Sequence, residues 1–439
     1  MLPANRVYFL LGSAIALSPI LSVIMGISLA IAVILLFDAV VLGLMFVDGL
    51  QVRKYRVKIS RQLPSRLSIG RDNSIVLKIA SVSTNTVIQI RDYYPTEFAV
   101  STPTLGVILT ANNAQELTYT VRPNQRGEFA WGNIQVRQLG SWGLAWDDWQ
   151  IPHNTTVKVY PDLLGLRSLS IRLTLQSSGS IRKIRQMGIG TEFAELRNYR
   201  NGDDLRFVDW KATARRSYGN TGPLVRVLEP EQEQTLLILL DRGRLMTATV
   251  QGLQRFDWGL STTLSLALAG LHRGDRVGVG VFDRQIHTWI PPERGQNHLN
   301  HLIDRLTPIE PVLLESDYVG AVTHVVKQQT RRALVVVITD LVDITASSEL
   351  LAALCKLAPR YLPFCVTLRD PQIDQIAHTF TEDVTTAYTR AVSLDLLAQR
   401  QVAFAQLKQK GVLVLDAPAN QISDQLVERY LQLKARNQL

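Results

Sequence analysis

Cysteine is almost absent: Cys355 and Cys365 are the only two among 439 residues, and neither sits in a CxxC pair. That scarcity argues against a disulfide framework. Both read as small buried apolar side chains in a reducing compartment, one on a helix and one on a strand. No GxxxxGK[ST] loop occurs, which removes a P-loop nucleotide site. Gly188 and Gly190 follow no clear strand and do not complete GxGxxG. His298 and His301 stand three apart on an expected helix, but no third ligand accompanies them, so they read as surface histidines. No motif places a Ser/His/Asp or Cys/His arrangement, and the chain is not expected to be an enzyme. Charge is missing over one long stretch. Val7 to Phe46 holds a single charged side chain, Asp38.

That run is too long for the apolar region of a signal peptide, and no convincing cleavage site follows it. A span takes about 20 apolar residues, so two fit, with a tight turn expected near Ser18 and Pro19. Arg6 precedes the run, and Arg53, Lys54, Arg56, Lys58, Arg61, Arg66 and Arg71 follow it. The expected tip carries no charge. The positive-inside rule then places both ends in the cytoplasm, which gives a multi-pass inner-membrane protein with its soluble domains inside the cell. The net charge of +9 is concentrated in this cluster and in a second zone from Arg167 to Arg226. The cluster beside the membrane reads as a topology signal and a contact for anionic lipid, not for nucleic acid. Asp38 within the second span is tolerable near the headgroups or paired with a neighbouring span. The second option is a route to self-association.

The length suggests two or three folded units. After the helical hairpin of residues 1–50, the period from 51 to 161 is two. SIVLKIA, TVIQIRDYY, ELTYTVRP and NIQVRQLG alternate apolar and polar residues between turn signals, as in an antiparallel β-sandwich of six to eight strands. Trp131, Trp142, Trp146 and Trp149 suggest a packed seam near its end. Residues 162–233 read as a linker carrying a charged motif. From 234 to 439 apolar strands alternate with helices: TLLILLD, RVGVGVF, ALVVVITD, YLPFCVTL and GVLVLDA, with QIHTWIP as a hairpin partner of the second. This predicts a three-layer α/β domain, Rossmann-like, with a mostly parallel sheet. Ligands of such sheets sit at the carboxyl ends of the strands, and Asp241 and Asp340 both fall there.

The charged motif runs from Gly188 to Glu231 and crowds ions of both signs around Tyr199, Phe207 and Trp210. Asn201-Gly202 is a turn signal. Asp203 or Asp204 is expected to cap a short helix through Arg215, with Leu205, Val208 and Ala212 on one face and Arg206, Lys211 and Arg215 elsewhere. Asp209 lies three residues after Arg206, in reach of an ion pair. Arg197, Arg200, Arg206 and Arg226 are expected to pair with Asp203, Asp204, Asp209 and Glu229, either docking the β-rich unit on the α/β unit or forming an exposed dock for a partner.

Two families are resembled. The two strand-end aspartates, the strand order and the antiparallel edge strand look like the von Willebrand factor A domain. That family holds Mg²⁺ with an Asp-x-Ser-x-Ser loop, a distant Thr and a further Asp. Here the loop is Asp241, Arg242, Gly243, Arg244, Leu245, so both serines are replaced, and Ser316 and Asp317 lie near the Thr position. The resemblance with these departures implies a degenerate metal site at Asp241 and Asp340. Its carboxylates would be neutralised by the flanking arginines, with no cofactor required. The stretch GTEFAELRNYRNGDDLRFVDWKATARR with LVRVLEPE and LLILLD is similar to the signature of the domain of unknown function 58. RPNQRGEFAWG, SWGLAWDDWQ and VYPDL resemble its preceding regions. This second resemblance implies a bacterial membrane-anchored protein with a von Willebrand factor A-like domain, encoded beside MoxR-type AAA+ ATPases. The function expected from it is a cytoplasm-facing adaptor that binds such an ATPase. The alternatives are a metal-dependent binding protein and an envelope assembly factor.

Overall fold

The structure is a computed structural model describing residues 1–80, 85–110, 114–179, 192–215, 222–229, 234–341, 348–358, 360–379 and 384–436. It divides into two compact units, Met1–Leu163 and Leu164–Leu439.

Unit one begins with two helices, α1 (Asn5–Met25) and α2 (Ile27–Lys54), each long and apolar enough to cross a membrane. At 1.5 Å per residue α2 is about 42 Å long, more than the roughly 30 Å of a bilayer core. The turn between them lies at Gly26, not near Ser18 and Pro19 as the sequence suggested. Gly26 has φ 81° and ψ 153°, a conformation that glycine adopts at low cost. Pro19 stays inside α1, as prolines of membrane helices can.

Between residues 59 and 160 the described chain forms eleven strands, more than the six to eight expected. The main sheets are of five strands, which include the short N-terminal strand Leu2–Pro3, and of four. A third, three-stranded sheet is not purely antiparallel, because Lys158–Tyr160 runs parallel to Arg66–Ser68. Alternation places Ile75, Leu77, Ile88, Ile90 and Val136 fully inside. One inward position holds a charge. Arg61 donates to Asp92 at 2.5 Å and ties the four-stranded sheet to the five-stranded one. Tyr119 donates to the same carboxylate, and burial together with that charge pushes its phenol far up. Of the tryptophans, Trp131 alone is core, edge-on to Phe98; Trp142 is exposed, and Trp146 and Trp149 are half-buried, so they form no single seam.

Four arginines of the basic cluster are held by carboxylates of this unit. Arg53 and Arg56 reach Asp147, Arg61 reaches Asp92 and Arg71 reaches Asp162. Of the four only Arg61 is buried by its pair; Arg53, Arg56 and Arg71 stay on the surface.

Unit two opens within the helix Leu163–Gly179, in a stretch where the sequence showed no periodicity. A two-stranded antiparallel hairpin follows, β1 (Glu192–Asn198) and β2 (Leu224–Glu229). The remaining strands are β3 (Thr235–Asp241), β4 (Arg276–Phe282), β5 (Ile286–Glu293), β6 (Leu334–Thr339), β7 (Leu362–Arg369) and β8 (Leu413–Pro418). They form one sheet in the order β5-β4-β3-β6-β7-β8, with β5 alone antiparallel. β3 is central and apolar on both faces. Its Leu237 and Leu239 pack with helices Tyr318–Gln328 and Ser348–Leu357 and with Ala403, Phe404 and Leu407 of Val384–Gln409. On the opposite face, Gly259 and Gly270 of helix Arg255–His272 lie against Leu240 and Leu236. A Cβ at Gly270 would come within 2.9 Å of Val277. Small residues therefore set how closely that helix approaches.

Two helices, Pro371–His378 and the 26-residue Val384–Gln409, connect β7 to β8. Cys355 and Cys365 are free, and burial pushes the Cys365 thiol up to about 12.

Candidate functional site

β3 and β6 are parallel neighbours, so Asp241, which ends β3, and Asp340, which follows β6, come to the same rim. They meet different surroundings. Asp241 is 1% exposed and accepts four hydrogen bonds. Oδ1 takes the Gly243 amide at 2.8 Å and the Ser316 hydroxyl at 2.5 Å. Oδ2 takes the Thr339 hydroxyl at 2.7 Å and the Tyr318 hydroxyl at 3.0 Å. Asp340 lies between two guanidiniums, Arg255 at 2.6 Å and Arg400 at 2.8 Å, and also accepts the Leu341 amide. Arg400 continues to Asp416 at 2.9 Å and donates to the Leu341 carbonyl.

The arginines expected to neutralise the rim do not do so. Arg242 pairs with Asp283 at 2.9 Å and Arg244 with Glu315 at 2.8 Å. The cations come instead from Arg255 and Arg400, which no local motif marked. Asp241 has no guanidinium partner among the described residues. Ser316 does arrive at Asp241, as its place in the chain suggested, and Asp317 caps the next helix through the Gly320 amide.

A divalent cation of the Mg²⁺ type needs about six oxygen ligands with free lone pairs. Each Asp241 oxygen already accepts two donors, and Asp340 already faces two positive charges. As arranged, these residues do not suit the ion. Gly243 reinforces the point: a Cβ there would lie 2.0 Å from Ser316 Oγ and 2.7 Å from the Leu314 carbonyl. A serine in the loop would need Ser316 to move.

Burial pushes the Asp241 carboxyl up, and its four donors pull the other way without overcoming it. The folded value therefore exceeds the unfolded one. Stability carried by the protonated form is complete below about pH 3.9 and is lost as pH rises through the folded value. Asp241→Asn lacks this dependence. The stability of the wild type minus that of the variant should fall steadily from acid to neutral pH. Chemical denaturation across that range reads it, and a difference independent of pH would exclude a raised carboxyl.

The charged motif forms its own frame on β1 and β2. Asp203 does not cap a helix. It takes Arg197 in a two-nitrogen grip at 2.6 and 2.7 Å, plus the Arg200 amide at 2.8 Å. The Asn201-Gly202 turn is present, with Gly202 at φ 104°. Asp204 is the cap, accepting from the Arg206 amide at 3.0 Å. It starts only a short 3₁₀ turn, Leu205–Phe207, after which Val208 is extended and bridges Val225. Asp209 then starts a second turn, Trp210–Arg215, through the Ala212 amide. One continuous helix with Leu205, Val208 and Ala212 on a shared face is therefore not formed: Val208 is buried and Leu205 exposed.

Asp209 pairs with Arg226 at 2.8 Å, not with Arg206. Both described pairs close within residues 197–226. The guanidiniums beside them hold the Asp203 and Asp209 carboxyls below the usual range. Tyr199 is pinned by its amide to the Pro223 carbonyl at 2.8 Å. The side chain of Glu229 and all of Gly188 and Gly190 lie outside the described residues. Leu205 is 64% and Trp210 65% exposed. Among the described residues Arg206, Lys211 and Arg215 hold no ion pair.

His298 is not a surface residue: it is buried, and its ring bonds the Val277 carbonyl at 2.8 Å. Among the described residues no group of three His, Cys, Asp or Glu side chains gathers to hold a metal. Asp38 falls within α2, and its Oδ1 is shielded without a hydrogen-bond partner.

Residues 195–409 match the family described as Protein of unknown function DUF58. An uncharacterized protein of Mycobacterium tuberculosis is 22% identical over 213 residues, 47% of this chain and 65% of the relative. Uncharacterized protein YeaD of Bacillus subtilis is 28% identical over 113 residues, 26% of this chain and 25% of that protein. The chain thus spans less than two thirds of the curated relatives it matches. Among solved structures, the conserved hypothetical protein BatB from Bacteroides thetaiotaomicron aligns over 46% of this chain and 99% of its own, at 13% identity and a TM-score of 0.29.

Proposed function

We propose that this chain, whose residues 195–409 match the DUF58 family, is a membrane-anchored adaptor that binds a protein partner and performs no bond chemistry. The observation that carries the reading is the platform at 199–215. Leu205 and Trp210 point apolar surface into solvent beside Arg206 and Lys211, which hold no ion pair among the described residues. The Arg197–Asp203 and Arg226–Asp209 pairs hold the surrounding backbone in place. Exposed tryptophan and arginine on a pre-ordered frame are the side chains that dominate protein interfaces. The partner in this reading is a MoxR-type AAA+ ATPase. The strand order with one antiparallel edge supports a von Willebrand factor A-like α/β domain. The filled lone pairs of Asp241 support recognition without a cation. Arg6 before α1 and Arg53 and Lys54 after α2 support soluble domains in the cytoplasm.

The test uses the detergent-solubilised chain and a purified MoxR-type ATPase from the same organism, with and without ATP. Trp210→Ala is expected to weaken binding about 30-fold, the effect of losing a hot-spot residue worth about 2 kcal/mol. Arg206→Glu should weaken it too, with circular dichroism unchanged in both. Unaltered affinity in two folded variants would sink the adaptor reading. A second reading, an envelope assembly factor working through span–span contacts, rests on the unpartnered Oδ1 of Asp38. It requires Asp38→Leu to reduce self-association in detergent.

A further inference from the structure

At the amino edge of the sheet, away from Asp241 and Asp340, lies a cleft of about 800 Å³. Arg276, Arg331 and Arg332 line it together with Gln234, Gln328 and Thr330. The topology explains the convergence. Arg276 opens β4 and stands level with Thr235, the first residue of β3. Arg331 and Arg332 close the connection into β6, where Leu334 stands level with Leu236. Only β3 separates the two sources, so their backbones are two strand spacings apart, about 10 Å. That is within reach of long side chains directed at one small ligand.

The state of these guanidiniums differs from that of the arginines at the other rim. Arg242, Arg244, Arg255, Arg369 and Arg400 each hold a carboxylate. Arg276, Arg331 and Arg332 hold none among the described residues, and all three are exposed. Their loop is nonetheless fixed. Arg360 donates to the Thr330 carbonyl at 2.6 Å, and the Tyr361 hydroxyl donates to the Gln329 carbonyl. Three like charges on an ordered concave edge repel one another, and an oxyanion accepting from all three relieves that repulsion. The amide and hydroxyl side chains of Gln328 and Thr330 supply neutral hydrogen-bond partners. No described lining residue is aromatic, so a base would find no stacking surface.

We propose that this cleft binds a small multivalent oxyanion of the phosphate type. The site is separate from the platform at 199–215 and does not depend on its role. The experiment titrates inorganic pyrophosphate into the detergent-solubilised full chain by calorimetry, against sodium chloride at matched ionic strength. Saturable binding is expected for pyrophosphate alone. Arg331→Gln and Arg332→Gln should each weaken it about tenfold, as loss of one charge-assisted contact does, with the ligand-free melting temperature unchanged. Micelles doped with phosphatidic acid separate the two sources of such a group: displacement of pyrophosphate assigns a lipid headgroup, and retention assigns a soluble ion. Absence of saturable binding, an equal response to chloride, or full affinity in the Arg331→Gln/Arg332→Gln double variant would overturn the proposal.

Discussion

Replacing Arg400 by methionine is expected to lower the unfolding free energy of the detergent-solubilised chain by about 3–5 kcal/mol, the cost of breaking a buried ion pair from one side. Arg400 is 5% exposed and joins two carboxylates, Asp340 at 2.8 Å and Asp416 at 2.9 Å. Methionine fills part of the volume but leaves both carboxylates short of a cation. Arg255 still faces Asp340, and Arg369 is 3.8 Å from Asp416, so neither is wholly abandoned. The loss should therefore fall in the lower part of that range. Arg400→Lys should recover little. One ammonium cannot present two separate nitrogens to two carboxylates and also donate to the Leu341 carbonyl, as the planar fork does. Urea denaturation reads the effect. With a slope of roughly 1–3 kcal/mol per molar, the midpoint should fall by about 1 M or more. A change below about 1 kcal/mol would show that the rim is solvated and that Arg400 is an ordinary surface arginine.

That cluster also marks what the sequence could and could not disclose. TLLILLD and ALVVVITD announce buried strands because a strand covered on both faces has no polar phase. Parallel strands end at the same edge, so Asp241 and Asp340 could be placed together from their positions alone. Their partners could not. Arg400 lies 60 residues from Asp340, in a helix whose pattern gives no strong face, and Arg255 sits at a helix start where an arginine draws no notice. The adjacent arginines in Asp241-Arg-Gly-Arg drew the neutralising role by proximity in sequence. In space they turn to Asp283 and Glu315. The same gap appears in the motif. The Asn201-Gly202 turn and the Asp204 cap are local devices and could be read. The Asp209–Arg226 pair spans 17 residues and depends on the register of β1 on β2, which no local spacing reveals. One signal was available and unused: Arg61 occupies an inward phase of the strand Ile59–Gln62, where an alternating pattern expects an apolar residue. A charge in that phase calls for a buried counter-charge, which Asp92 supplies.

The other large effect is expected where α2 leaves its apolar stretch. Asp48 is fully buried and accepts three backbone amides, two from the loop before strand Ala145–Ile151 and one from its first residue. These are Trp142 at 3.1 Å, Leu144 at 3.0 Å and Ala145 at 3.2 Å. Asp48→Ala leaves three donors buried without an acceptor. At about 1–3 kcal/mol for each, the loss should be on the order of 3 kcal/mol or more. The neighbouring links are weaker. The Arg56 side chain is 40% exposed and Arg53 still reaches the buried Asp147 at 3.5 Å, so Arg56→Ala should cost less, about 1–2 kcal/mol for its charge-assisted hydrogen bonds. An independent substitution attacks the same joint from the opposite side. A Cβ at Gly140 would come within 2.1 Å of the Asp48 carboxylate, so Gly140→Ala must push the loop off the helix. Both variants should open the chain to protease near residues 55–58, where α2 has ended and the first sandwich strand has not begun. Arg56→Ala should stay resistant. If Asp48→Ala and Gly140→Ala both resist protease as the wild type does, the helix is tethered by its covalent connection alone. If they are cut, α2 and the sandwich form one rigid piece. An anchor of that kind fixes the orientation of the sandwich relative to the helix axis, which a flexible linker would leave free.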